Sequence, residues 1–284
     1  DISFIWIMSG IIFAAAITFI ISHFIFGASV VVSLVATIVM IIAGFFFAAV
    51  SGYLVGIIGS SNNPISGLTI STVVVTAVLM LALGVHGEEG VASVLGVAAV
   101  VCVSAAVAGE MLQDLKAGHL LGGTPWKMQV GDIIGVIVAA AVLFLPLVVL
   151  HEGDIAVGMQ KGYEGGFGSK ELPAPQASLM AILTQGIIAG KMAWPLIIVG
   201  MLMGVGFILM QVKSPMLVSI GMYLPLETTF AIFIGGLIKG VLDRVKKRIK
   251  ASQERYEKIE NVGILLASGL IAGEALMGLA FAAL

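Results

Sequence analysis

Gly59-Ser60-Ser61-Asn62-Asn63-Pro64-Ile65-Ser66-Gly67-Leu68-Thr69 is a small, polar, proline-broken island between two apolar stretches, Ala28–Ile58 before it and Ile70–Gly84 after it. Pro64 has no N–H and disfavours helix at Asn63. Gly59 and Gly67 permit backbone angles that other residues avoid. One helix should therefore stop near Gly59 and the next begin near Ser66. Ser66 and Thr69 can cap the new N-terminus or face a cavity. Two readings of the island stay open. It is a tight loop at a membrane surface, or a break sheltered in protein and lining water, as at the midplane sites of many transporters.

The composition leaves little doubt about the solvent. Of 284 residues, 60% are hydrophobic and 11% charged, whereas soluble domains carry about 25% charged residues. Mean hydropathy is +1.15. Several apolar runs reach the ~20 residues that a helix needs to cross a bilayer. The fold class expected is all-α: one polytopic transmembrane bundle over residues 1–284 with proline-broken or re-entrant helices, about seven to nine spans. The 36 glycines and 14 methionines fit close helix packing. No basic surface points to nucleic acid. With one cysteine, Cys102, neither an internal disulfide nor a cysteine metal cluster forms. The chain begins at Asp1 and enters an apolar run at once without signal-peptide features, which is expected of part of a longer polypeptide.

Taken in order, the expected spans are Ile2–Phe26, Val30–Ile58, Leu68–Leu83, Gly90–Gln113, Ile133–Leu150, Trp194–Met210, Thr228–Leu242 and Val262–Leu284. Ser178–Ile188 is too short to cross comfortably and reads as re-entrant or as one arm of a hairpin. His151–Pro175 reads as an external loop. Met216–Leu226 holds a second proline-interrupted island, Gly221-Met222-Tyr223-Leu224-Pro225-Leu226-Glu227. The basic run Arg244–Lys258 should be cytoplasmic. Lys116 and Lys127 share that side if nine segments cross. The segment Val241–Ile259 is amphipathic and either solvated or laid along the inner leaflet.

Charges inside apolar spans are costly and point to function. Glu274, among small residues in the last span, either binds a coupling proton or hydrogen-bonds a broken helix end. Glu110 and Asp114 sit at a helix end that repels acids. Asp114 pairs with Lys116 at the surface or contributes to a cation or proton site. Glu227 opens a helix, where an acid is favoured. Tyr223 either contacts a ligand or anchors at the interface. The histidines lack metal-ligand spacing, and neither a P-loop nor a Gly-x-Ser-x-Gly is present, so no metal, cofactor or ATPase chemistry is expected.

Three stretches together carry a resemblance: Asn63-Pro64-Ile65-Ser66-Gly67-Leu68-Thr69; Gln113-Asp114-Leu115-Lys116-Ala117-Gly118-His119-Leu120-Leu121-Gly122-Gly123-Thr124-Pro125; and Gly221–Leu226 followed by Gly235-Gly236-Leu237-Ile238. The ending Leu266–Glu274 adds to it. The chain resembles the C-terminal half of the oligopeptide transporter family, which includes the yellow-stripe-like metal-chelate transporters. The resemblance implies proton-driven secondary transport of short peptides or metal chelates across the cell membrane. It also implies an N-terminal half, in the same or a partner chain, and a cavity between halves. By that analogy Asn63, Pro64, Ser66, Gly67, Thr69, Tyr223 and Glu227 line the substrate path. Glu274, Glu227 and Asp114 are the candidates for proton coupling. A homo-oligomer is allowed. A non-transporting membrane scaffold is the rival class. An intramembrane enzyme is disfavoured by the lack of a paired nucleophile and base.

Overall fold

The structure is a computed structural model that describes residues 2–58, 63–248 and 253–282. The described residues form helices and turns with no strand, as the hydropathy dictates. The helices are α1 (Phe4–Ile20, ending in a π-turn over Ile21–Ile25), α2 (Val30–Ile58), α3 (Ile65–Ala82), α4 (Glu88–Leu120) and α5 (Pro125–Lys161). They continue with α6 (Pro175–Ile188), α7 (Trp194–Leu209), α8 (Pro215–Tyr223), α9 (Leu226–Arg248) and α10 (Gln253–Ala282). Proline opens α5, α6 and α8, where its missing N–H costs nothing. Gly122 and Gly190, both at positive φ, follow the ends of α4 and α6 and let the chain leave each helix.

Six described helices are long and apolar enough to cross a membrane: Phe4–Ile25, Val30–Ile58, Ile65–Ala82, Glu88–Leu120, Pro125–Lys161 and Glu257–Ala282. The apolar α7 is shorter. α9 is not among the six, because Glu227, Lys239 and Asp243 interrupt its apolar face. The protein is thus a polytopic helical membrane protein.

Two segments differ from expectation. The loop expected over His151–Pro175 is helical as far as Lys161, and only residues 162–174 form a loop. Gly153 and Gly158 do not interrupt the helix before Gly162, and Pro146 is carried inside α5. The stretch Val241–Ile259 is helical on both sides of residues 249–252, which lie outside the described residues.

The chain divides into two compact units, residues 1–141 with 176–203, and residues 142–175 with 204–284. In the first unit, α4 is the central helix, and α2 and α3 pack along it. The buried side of α2 repeats at helical spacing through Val32, Ala36, Met40 and Gly44; that of α4 runs through Val94, Val97, Ala98, Val101 and Ala105. Ala36, Gly44, Ala98 and Ala105 among them are small and let backbones approach, which is how helices associate where lipid competes with any apolar surface. α3 contributes Val73, Ala77 and Met80, and the end of α6 adds Ile187 and Ile188. His86 Nδ1 lies 3.3 Å from the Ile188 carbonyl, seating the end of α6 beside the α3–α4 turn.

The second unit is tied by polar contacts. Asp154 accepts from the Tyr163 hydroxyl (2.9 Å), the Gly166 N–H (2.7 Å) and the Ser169 hydroxyl (2.7 Å), folding the 162–174 loop back on the end of α5. The Tyr223 hydroxyl donates to the Pro175 carbonyl. Thr229 Oγ1 donates to Gly221 O (3.1 Å) and closes the Pro225 turn. Lys239 and Glu260 pair at 3.5 Å between α9 and α10.

Candidate functional site

The Asn63-Pro64 turn joins two helices that each have spanning length. α3 alone, at 18 residues, is ~27 Å long. Gly59–Asn62 lie outside the described residues. Pro64 is the residue before the first turn of α3, which has no side-chain cap. Ser66 therefore does not cap it, and Thr69 Oγ1 donates instead to the Ile65 carbonyl at 2.8 Å. Thr69 is buried, whereas Ser66 and Gly67 are half-buried at the turn.

Asn63 reaches into the bundle. Its Nδ2 donates to Ser51 Oγ on α2, and Ser51 Oγ donates in turn to the Ala105 carbonyl on α4. Gly109 makes the room: a Cβ there would stand 2.6 Å from Asn63 Nδ2. The turn is thereby pinned across α2 and α4. Asn63 Oδ1 is buried with no partner among the described residues.

One turn beyond Gly109, the polar end of α4 presents two different faces. Toward the end of α2, Gln113 and Lys116 line a groove of roughly 550 Å³ with Val55 and Gly56. Toward α5, Glu110 and Asp114 line a groove of roughly 370 Å³ opposite Asp132. Gly131, Gly135 and Ala139 keep the α5 wall low. Asp132 lines this groove with Asp114, and its Oδ2 is buried with no hydrogen-bond partner among the described residues.

Asp132 is the residue that sequence reasoning missed. It stands just ahead of the expected span Ile133–Leu150, which left it out. The signal was Pro125, a first-turn residue that starts α5 eight positions earlier than expected. With α4 ending at Leu120 and α5 starting at Pro125, Asp114 and Asp132 lie nearly level on the two arms of a hairpin.

The remaining candidates stand in the second unit. Tyr223 closes α8 against Pro175. Glu227 is exposed in the first turn of α9, where the helix dipole favours it. Glu274 is exposed on α10, and Gly269 and Gly273 beside it have no atom within 4 Å of a built Cβ. The tight small-residue packing expected there is not made among the described residues. No group of three or more His, Cys, Asp or Glu among the described residues could hold a metal ion.

Comparisons with known proteins agree with this architecture. The model of the OPT oligopeptide transporter protein family matches residues 1–284. A curated protein of Haemophilus influenzae named "Putative oligopeptide transporter" is 33% identical over 89% of this chain and 43% of its own length. The chain therefore spans less than half the length of that relative. No solved structure matches. A helical membrane protein matched along all 284 residues, with a pinned Asn-Pro turn and an acid-lined hairpin behind the Gly-Gly-Thr-Pro motif, belongs to the OPT oligopeptide transporter family.

Proposed function

We propose that the chain forms part of a proton-coupled secondary transporter of the cell membrane that moves short peptides or peptide-like metal chelates. The observation that carries the coupling is that Asp114 and Asp132 line one groove, where Asp132 Oδ2 is buried without a hydrogen-bond partner among the described residues. A pair that holds one proton between its two carboxyl groups can release it when one access state brings water or a cation into the groove, and regain it in the other. The acids lie at the helix ends of a hairpin whose small α5 residues leave space for water. That arrangement suits a group that must exchange protons with solvent.

In this reading Asn63, Pro64, Ser66, Gly67 and Thr69 shape one wall of the substrate path, with the unpartnered Asn63 Oδ1 available to a peptide N–H. Tyr223 and Glu227 provide phenol and carboxylate contacts for substrate in the second unit. Glu274 and Glu227 are the further carboxylates of the proton path. The rest of the transporter, matching the part of the relative that this chain does not cover, completes the cavity.

Uptake of labelled short peptides into proteoliposomes, with and without an inward proton gradient, tests the assignment in the full-length protein. Asp132→Asn and Asp114→Asn should each abolish the stimulation by the gradient while peptide exchange at equal pH persists. Normal gradient stimulation in both variants overturns the role given to the pair.

A further inference from the structure

The starts of α1 and α5 leave an apolar groove of roughly 620 Å³ between them, distinct from the groove lined by Asp114 and Asp132. Its walls carry Trp6, Ile7 and Gly10 on α1, and Trp126, Val130 and Ile133 on α5. A backbone-to-side-chain hydrogen bond ties one end, where Ile2 N–H donates to Gln129 Oε1 at 2.9 Å. Trp6 and Trp126 are 73% and 48% exposed, so no helix among the described residues covers them. At the mouth, Lys127 Nζ lies 5.8 Å from the centre of the Trp126 ring. Lys127 is exposed and has no carboxylate partner among the described residues.

We propose that this groove binds an anionic phospholipid, with an acyl chain between α1 and α5 and the headgroup phosphate at Lys127. Each part of the lipid meets matching chemistry. The floor is aliphatic and is deepened at Gly10, where nothing lies within 4 Å of a built Cβ. Two indoles at the mouth mark the headgroup level, where amphipathic rings settle. The ammonium is held over an indole face, leaving its N–H groups to point at phosphate. A zwitterionic lipid would fill the same apolar slot but bring no net negative charge to Lys127. Charge complementarity therefore selects the anionic headgroup.

Tryptophan quenching tests this in the full-length protein, engineered so that Trp6 and Trp126 are its only tryptophans. The protein is reconstituted into phosphatidylcholine vesicles that contain brominated phosphatidylglycerol or brominated phosphatidylcholine at equal mole fraction. One lysine at the headgroup layer gives about a fivefold preference, the equivalent of ~1 kcal/mol. Brominated phosphatidylglycerol should therefore quench at a correspondingly lower mole fraction. Lys127→Gln should abolish the difference, and Lys127→Arg should keep it. Equal quenching by the two lipids, or a preference that survives Lys127→Gln, overturns the headgroup site. Absence of quenching by either lipid means that protein, such as the rest of the transporter, fills the groove, and overturns the proposal outright. None of these readings depends on peptide uptake.

Discussion

Replacing Gly109 by alanine tests how the Asn-Pro turn is held. The new Cβ would stand 2.6 Å from Asn63 Nδ2, 3.2 Å from Val55 Cγ2 and 3.3 Å from Ser51 Oγ. The first contact cannot be kept, so the Asn63 amide must leave Ser51. That removes an interhelical hydrogen bond worth about 0.6 kcal/mol on average and up to ~1.7 kcal/mol in membrane proteins. The other two contacts must yield by a few tenths of an ångström, and overpacking of this kind costs about 1–3 kcal/mol. Alanine's better helix propensity returns up to about 1 kcal/mol, leaving a net loss of about 1–3 kcal/mol. In an Asn63→Ala background the worst clash is gone, and Ser51 still donates to Ala105. There Gly109→Ala should cost about 1 kcal/mol less, with only the Val55 and Ser51 contacts left to yield. Reversible unfolding of the four proteins in mixed micelles closes the cycle, with an expected coupling of about 1 kcal/mol or more between the two positions. If Gly109→Ala costs the same with and without Asn63, the side chain does not occupy the α2–α4 interface and the pinned turn is wrong.

Four further substitutions test the second unit and the hairpin. Gly158→Ala should destabilise by about 1–3 kcal/mol, because its Cβ would press on backbone atoms, Tyr163 O at 2.6 Å and Gly165 N at 2.9 Å. Gly204→Ala, with nothing within 4 Å, should be neutral or stabilising by about 0.5–1 kcal/mol in the same unfolding measurement. Asp154→Ala should raise hydrogen exchange at Gly166, whose amide bonds its carboxylate, without changing α2–α4. The same substitution should lower the Tyr163 pKa, because desolvation and then the hydrogen bond and charge of Asp154 hold that phenol above its ordinary value. A tyrosinate absorbance titration reads the shift, and an unchanged or raised value contradicts the clasp. Gly135→Leu should fill the groove between Asp114 and Asp132 and reduce gradient-driven uptake while leaving gradient-free exchange intact.

The helices were legible wherever breakers bracket an apolar run. The bounds of α2, Val30–Ile58, follow from Gly27 and from the polar island after Ile58, and the α4–α5 turn follows from Gly-Gly-Thr-Pro. α5 was read short because hydropathy sees the apolar centre of a helix and not its polar ends. That is also why Asp132 fell outside the expected span. Its partnership with Asp114 depends on the register of two helices, which no local pattern encodes. Asn63 was singled out as part of the Asn-Pro break. That it packs over Gly109 on a helix 46 positions later, between Ser51 and Ala105, is a consequence of tertiary contact. Glu274 was read from the cost of charge in lipid, and nothing in that cost says which surface faces it.

The account stands or falls on the link between peptide movement and proton movement through Asp114 and Asp132. The most direct measurement loads liposomes containing the full-length protein with a pH-sensitive dye and adds short peptide outside with no imposed gradient. Peptide entry should acidify the lumen, and Asp132→Asn should let peptide enter without acidification. Peptide entry that leaves the luminal pH unchanged in the unmodified protein, or acidification that survives loss of both aspartates, would contradict it.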